Sequence, residues 1–218
     1  QKNVDTGMGL ERILKVLQNT PSIFETDVFL PLIKEIEDLS GYFIESSARI
    51  VADHIRSSVF LISEGVTPSN TERGYILRRL VRRAIRHAAL LKIDKDFIED
   101  LVKIVVKIYE NTYPNLVEQR DLIIQQLQEE ERKFKKALSA GIREFEKIKG
   151  DLTADSAFNL YQNYGFPIEL TTELARENNK KVDVVGFSEK FKKHQEISRS
   201  AAQNAKGGMA DASLITTY

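Results

Sequence analysis

One segment of the chain, residues 115–149, carries apolar side chains at helical spacing over a longer distance than any other. Apolar residues that recur every three or four positions form one face of an amphipathic α-helix. The apolar positions are Leu116, Ile123, Leu127, Phe134, Leu138, Phe145 and Ile148. Shorter segments with the same spacing fill most of the remaining chain. The sequence therefore predicts a mainly α-helical protein, built as a multi-helix bundle.

Prolines, glycines and capping residues set the predicted helix boundaries, because they interrupt or terminate helical hydrogen bonding. The predicted helices cover residues 10–17, 26–39, 46–63, 70–91, 96–113, 115–149, 154–164, 167–178 and 187–204. Residues 2–9 alternate weakly between apolar and polar side chains, so we predict one short strand there. From Lys206 onward we predict a tail without regular structure.

Composition narrows the classes of function. The chain has 42% hydrophobic and 29% charged residues, no cysteine, and no apolar run of the length that crosses a bilayer. Disulfides and thiolate metal ligands are therefore excluded, and the histidines show no metal-binding spacing, so no metal site is expected. We see no secretory leader and expect a cytoplasmic protein.

The charge distribution is uneven although the net charge is zero. Residues 46–92 contain nine lysines or arginines and only three acidic residues. Five arginines lie on one side of the predicted helix 70–91, namely Arg78, Arg79, Arg82, Arg83 and Arg86. A solvated face normally mixes charges of both signs, so this face favours contact with phosphates. Pairing of some of these arginines with acidic residues elsewhere in the chain is the alternative.

Two shorter motifs carry possible chemistry. Gly7 and Gly9 end the predicted strand, and Arg12 follows in the first helical turn, where its guanidinium could bind a terminal phosphate. Asp5 on the same strand could hold an ammonium group. The alternative is a tight strand-to-helix turn with a surface arginine. Ser69 and Glu72 have the spacing of a capping box, and Asn70 beside them could read the edge of a base.

Longer motifs carry a specific resemblance. The segment VDTGMGLERI (4–13) resembles motif 3 of class II aminoacyl-tRNA synthetases in the form found in alanyl-tRNA synthetases. The segments ADHIRS (52–57), PSNTERGYILRRLVRRAIRH (68–87) and LYQNYGFPIELT (160–171) resemble the region that follows motif 3 in that family. KGGMAD (206–211) is similar to the start of the family's linker to its editing domain. The resemblance covers nearly the whole chain in the right order.

The resemblance implies roles for individual residues. Arg12 matches the arginine that binds ATP phosphate, and Gly9 lines the adenine site. Asp5 matches the acid that holds the alanine ammonium, and Gly7 lies in the amino-acid pocket. The predicted strand would be a remnant of the class II antiparallel sheet.

The resemblance also implies a contact with tRNA. Asn70 matches the asparagine that reads the G·U pair in the acceptor stem of alanine tRNA. Its family partner is an aspartate, and Gln162 stands at that position here. Glutamine keeps a carbonyl oxygen that can accept a hydrogen bond from the guanine amino group. The arginine face, which favours phosphate contact by its charge alone, would then contact the phosphates of the tRNA.

The resemblance further divides the chain by function. Residues 1–20 would end the aminoacylation domain, 21–150 would form the helical tRNA-recognition subdomain, 151–204 a smaller helical subdomain, and 205–218 a linker to an editing domain. Motifs 1 and 2 would lie upstream, so we expect no alanine activation by this chain alone. ATP with Mg would serve the whole enzyme, and neither is expected to bind tightly to this chain.

Two other interpretations of the sequence remain. The chain could be a basic helical nucleic-acid-binding module without ATP chemistry, in which the turn from Gly7 to Arg12 is structural. It could also be a helical scaffold in which residues 115–149 form a partner-binding helix.

Overall fold

The computed structural model describes residues 7–93 and 96–211, with side chains described as far as residue 197. The described chain is α-helical, with one short 3-10 helix, Ile23–Glu25, between the first two α-helices. The helices are α1 (Leu10–Leu17), α2 (Leu30–Leu39), α3 (Glu45–Ser63), α4 (Glu72–Leu90), α5 (Ile98–Tyr109), α6 (Asn115–Glu118), α7 (Arg120–Lys147), α8 (Ala154–Tyr164), α9 (Ile168–Glu177) and α10 (Val184–Asp211). The predicted mainly helical class is confirmed. Within the described residues no helix is long and apolar enough to cross a membrane.

The predicted N-terminal strand is not supported. Residues 7–9 have no regular structure, and the rest of that prediction, including Asp5, lies outside the described residues. A strand needs a partner strand for its backbone hydrogen bonds. The described chain offers none, since its only β-type pairing is the isolated bridge between Leu152 and Val182.

Several predicted helix boundaries were wrong for local reasons. The segment 26–39 becomes helical only at Leu30, because the Thr26 hydroxyl bonds back to the Ile23 carbonyl at 2.6 Å and closes the preceding turn. The segment 115–149 is broken at Gln119 into α6 and α7. The last helix does not end at residue 204 but continues to Asp211. This extension includes Gly207 and Gly208, each of which disfavours a helix. Each added helical residue also gains a backbone hydrogen bond, which offsets that cost.

The chain divides into two compact units, residues 1–136 and residues 137–218, and the division falls within α7. In the first unit α3 packs along α4, and α2 and α5 pack against α3. Apolar residues of α3 and α4 that are fully buried form its centre, among them Val51, Ile55, Leu77 and Val81. The domain boundaries drawn from the resemblance remain predictions.

In the second unit a cluster of aromatic rings, of which Phe187 is buried, joins α8 to α10. Phe158 and Tyr161 of α8 meet Phe187 and Phe191 of α10, with ring centroids 5.1–6.1 Å apart for the pairs in contact. Such tilted and edge-on ring pairs are favourable beyond the area they bury. Tyr161 is half-buried and packs against the rings of α10.

Candidate nucleic-acid interface

The arginine row of α4 is only partly exposed. The opposite, apolar side of α4 is buried, which turns the arginines away from the centre of the unit. However, the Arg78 and Arg82 side chains are 21% and 13% exposed, and Arg86 is buried at 3%. The Arg86 side chain is therefore largely shielded from solvent in the folded chain, and its contact with tRNA stays a prediction.

A buried carboxylate on α7 binds two of these arginines. The Glu130 side chain is 3% exposed, and its Oε1 contacts Arg82 Nη2 at 2.6 Å and Arg82 Nε at 2.7 Å. The Arg78 Nε lies 3.3 Å from the same Glu130 oxygen. Two guanidinium groups around one carboxylate compensate its burial, which an unpaired charge could not tolerate. Pairing with acids from elsewhere in the chain, the alternative for these arginines, is therefore found for Arg78 and Arg82.

Further protein contacts involve Arg83 and the ring-facing side of Arg82. Arg83 Nη1 lies 3.1 Å from His54 Nε2, and His54 in turn contacts Asp53 through Nδ1 at 2.9 Å. The Arg82 guanidinium covers the Phe134 ring at 5.1 Å. Arg79 is partly exposed. Within the row, neighbouring helices thus hold Arg78, Arg82 and Arg83 in defined positions.

Asn70 lies in a loop that is tied down on α4. Ser69 makes a local turn, its hydroxyl accepting from the Thr71 N–H at 3.3 Å, and Thr71 is the N-cap residue. The capping box predicted for Ser69 and Glu72 was wrong, because Glu72 adopts a left-handed φ of 49° that the motif does not allow. Asn70 is exposed, and its Oδ1 accepts a hydrogen bond from Arg78 Nη1.

Gly74 makes the close approach of this loop possible. A Cβ at position 74 would lie 2.1 Å from the Ser69 hydroxyl oxygen and 2.5 Å from the Thr67 carbonyl oxygen. Arg78 adds a second anchor, since its Nη2 donates to the Pro68 carbonyl at 3.2 Å. The loop that presents Asn70 is therefore fixed to the first turns of α4.

An open pocket of about 350 Å³ lies beside this loop. Its walls come from the loop, from α4 and from α7; they are Thr67, Pro68, Arg78, Leu122, Gln125, Gln126, Glu129, Glu130 and Lys133. Gln126 Oε1 is buried there and accepts no hydrogen bond from any described residue. The pocket is thus lined both by Gln126, whose carbonyl oxygen can still accept a hydrogen bond, and by Arg78.

The N-terminal motif stands on α1, which has no buried residue. Arg12 is exposed in the first turn. A Cβ at Gly9 would meet only the Arg12 side chain, at 3.6 Å, and Gly7 has no neighbour within 4 Å. The backbone at Gly7 and Gly9 therefore leaves room for a phosphate-bearing ligand. Arg12 is the cation that these described residues place beside it.

A second network ties α1 to α3 and α5 within the first unit. Arg56 of α3 donates to Glu11 at 2.7 Å and to the Tyr109 hydroxyl at 2.8 Å. Its guanidinium also covers the Phe29 ring at 4.9 Å. The pKa of Glu11 lies below its usual range, chiefly because of a backbone hydrogen bond and to a smaller extent because of the hydrogen bond from Arg56. Burial raises the pKa of Tyr109.

Gln162 is exposed on α8, in the second unit. Asn70 belongs to the first unit, and a common groove for the two residues stays a prediction.

Sequence reasoning missed Glu130 and the anchoring role of Arg56. Glu130 follows Leu127 by three positions and precedes Phe134 by four, so it lies on the apolar stripe of α7. Arg56 lies similarly between Ala52 and Val59 on α3. A charge on an apolar stripe is the signal that indicates a buried or half-buried ion pair.

Comparison with known proteins agrees with the motifs. The family model for tRNA synthetases class II (A) matches residues 1–218, and the chain therefore belongs to the class II tRNA synthetases. Within that class its relatives are alanine–tRNA ligases, which confirms the resemblance to alanyl-tRNA synthetases. The relative from Borreliella afzelii is 46% identical over 100% of this chain, that from Treponema pallidum 44% over 98%, and that from Bacillus subtilis 40% over 100%.

The chain spans only part of these relatives. It covers 39% of the length of the Borreliella afzelii ligase, 38% of the Treponema pallidum ligase and 27% of the Bacillus subtilis ligase.

Proposed function

We propose that this chain is the acceptor-stem recognition part of an alanine–tRNA ligase whose full-length form joins alanine to its tRNA in the cytoplasm. One observation supports it above the others. Arg78 of the arginine row donates a hydrogen bond to the exposed carboxamide of Asn70, so a side chain suited to reading a base edge lies beside side chains suited to binding phosphates. Phosphate contacts would position the RNA, while the carboxamide would read sequence. Gln162 would complete the G·U contact.

In the whole enzyme, alanine and ATP with Mg would be the other substrates. Arg12 would bind an ATP phosphate, Gly9 would let the nucleotide approach the backbone, and Gly7 would line the amino-acid pocket. Their exposure and the open space around the glycines fit these roles. Asp5, proposed to hold the alanine ammonium, lies outside the described residues. When bound, ATP would supply the adenylyl group that activates the alanine carboxylate, with pyrophosphate as the leaving group.

The arginine row gives the first test. We expect Arg79→Ala and Arg83→Ala each to weaken binding of alanine tRNA and of other tRNAs by a similar factor. Each should also flatten the plot of log affinity against log salt by roughly one unit, because a lost phosphate contact releases fewer counterions. Binding would be measured at several salt concentrations. Lys103→Ala is the control, since Lys103 is exposed on α5 and pairs with Glu99. Unchanged affinity and slope in both arginine variants would show that these arginines are structural.

Asn70 and Gln162 give the second test. We expect Asn70→Ala to reduce the preference for a G·U over a G·C acceptor-stem hairpin by about 1–3 kcal/mol, which is the usual contribution of a good base-edge contact. Total affinity should fall less, because phosphate contacts dominate it. Gln162→Asp, which restores the family residue, should sharpen the preference.

Thr71→Ala is the matched control for Asn70→Ala. Thr71 is the neighbouring exposed residue, and its side chain does not cap the helix. A fall in preference of equal size in both variants would indicate a general loss of loop structure and would contradict base reading by Asn70.

A further inference from the structure

The chemistry of Arg78 determines which way the Asn70 carboxamide is turned. A guanidinium group has only donors, so the Asn70 atom that faces Arg78 Nη1 must be the acceptor Oδ1. The Asn70 amide nitrogen, with two N–H donors, is then on the other side of the group. Within the described part of the chain it has no hydrogen-bond partner, and Asn70 is exposed. Asn70 therefore presents donors to any ligand.

Besides its hydrogen bonds to Pro68 and Asn70, Arg78 has an electrostatic contact with a buried carboxylate. Glu130 Oε1 lies 3.3 Å from Arg78 Nε, an ion-pair distance at which the Nε–H group makes no hydrogen bond. Glu130 is held in turn by the two bonds from Arg82, and its side chain is nearly inaccessible to solvent. A contact with a buried carboxylate restricts the rotation of the planar guanidinium group of Arg78.

We propose that Glu130 is a positioning residue for base recognition, acting through Arg78 to hold Asn70 with its amide N–H groups turned outward. The inference rests on the proposed function, since it assigns the means by which the same site reads RNA. Glu130 itself touches no nucleotide. It is one connection of a series that runs from α7 through α4 to the exposed loop.

The orientation selects the kind of base edge that Asn70 can read. Amide N–H donors match acceptors such as guanine O6 or N7, uracil O4 or the minor-groove O2 and N3 atoms. They do not match the guanine amino group, which is itself a donor. That group would instead need an acceptor, and Gln162 retains one.

Loss of Glu130 should separate selectivity from affinity. Without its carboxylate, Arg78 and Arg82 lose the partner that restrains them, while the surface gains net positive charge. Attraction to phosphates should then stay constant or increase, because that term depends on charge and not on base identity. Selectivity should fall, because the Asn70 carboxamide is no longer held in one orientation.

The experiment measures dissociation constants of the 218-residue chain for two RNA hairpins that copy the alanine acceptor stem with a G·U or a G·C pair. For Glu130→Gln we expect the G·U preference to fall by about 5- to 150-fold, the range that corresponds to one base-edge contact. Affinity for the G·C hairpin should be unchanged or higher. The matched control is Glu129→Gln, a neighbouring acid that lines the same pocket but pairs with Lys133 at 3.7 Å. Its preference should be that of the unchanged chain.

A double variant distinguishes positioning from general destabilisation. If Glu130 acts through Asn70, Glu130→Gln in an Asn70→Ala background should lower the preference no further. A merely structural role would lower it again and would overturn the inference. Should Glu130→Gln fail to fold in a thermal melt, Arg78→Lys serves instead, because one ammonium group cannot contact Glu130, Pro68 and Asn70 together. Arg78→Lys should also lose the preference, and an unchanged preference in that variant would overturn the inference.

The controls also separate this inference from the proposed function. An unchanged chain that binds both hairpins equally would overturn both. A chain that prefers G·U, loses the preference in Asn70→Ala and keeps it in Glu130→Gln would overturn the positioning role of Glu130 alone.

Discussion

Replacing Arg56 by alanine is expected to lower the free energy of unfolding by about 3 kcal/mol. The change removes a charged hydrogen bond to Glu11, one to the Tyr109 hydroxyl, and the cover over the Phe29 ring. Hydrogen bonds to charged groups contribute about 1.5–3 kcal/mol, and a cation–π contact adds about 0.5–2 kcal/mol. Equilibrium unfolding in urea would measure the loss.

Arg49→Ala is the control for Arg56→Ala. Arg49 lies on the same helix and also covers an aromatic ring, that of Phe24 at 5.1 Å. Its ion pair with Glu45 is exposed, however, and such pairs contribute less than about 1 kcal/mol. Arg56→Lys should fall between the two, because an ammonium keeps the charge but not the planar fork. If Arg56→Ala costs no more than Arg49→Ala, the network does not anchor α1.

The same network should leave a signature in acid. The folded pKa of Glu11 is lowered, chiefly by a backbone hydrogen bond and then by Arg56. Its contribution to stability is therefore present above the ordinary glutamate pKa of about 4.3 and is lost as the pH falls through the lower, folded value. Arg56→Ala should flatten this part of the stability profile, because it removes the Arg56 share of the shift.

Gly141→Ala is expected to destabilise the second unit by about 1–3 kcal/mol, the usual cost of overpacking a core. A Cβ at position 141 would lie 2.3 Å from Cε2 of Phe166, whose ring is fully buried. This cost exceeds the ~1 kcal/mol that alanine gains over glycine inside a helix. Thermal unfolding followed by circular dichroism would measure it.

Ser139→Ala is the control for Gly141→Ala, since residue 139 is exposed on the same helix and should show only the small propensity gain. A second check is Phe166→Leu in the Gly141→Ala background, which should recover part of the loss because the ring no longer meets the new methyl group. Stabilisation by Gly141→Ala alone would mean that the Phe166 ring moves aside without cost.

The sequence by itself determined where most helices lie and which family the chain belongs to. α1 spans the predicted residues 10–17, and α3 begins within one residue of its predicted start. These boundaries depend on apolar spacing and on nearby prolines and glycines, which are local properties of the chain. The strand prediction for residues 2–9 lacked such support, since a strand depends on partners that the local sequence does not contain.

Only the tertiary structure decided what the functional residues contact. The spacing of Arg78 and Arg82 places them on one face of α4, but their shared partner, Glu130, is 48 residues from Arg82. Likewise, the sequence gives Gly141 a simple helix penalty, whereas the folded chain places Phe166 against it. Periodicity predicts which way a side chain faces along its own helix. Whether that face meets solvent, a carboxylate or an aromatic ring depends on packing between segments that are distant in sequence.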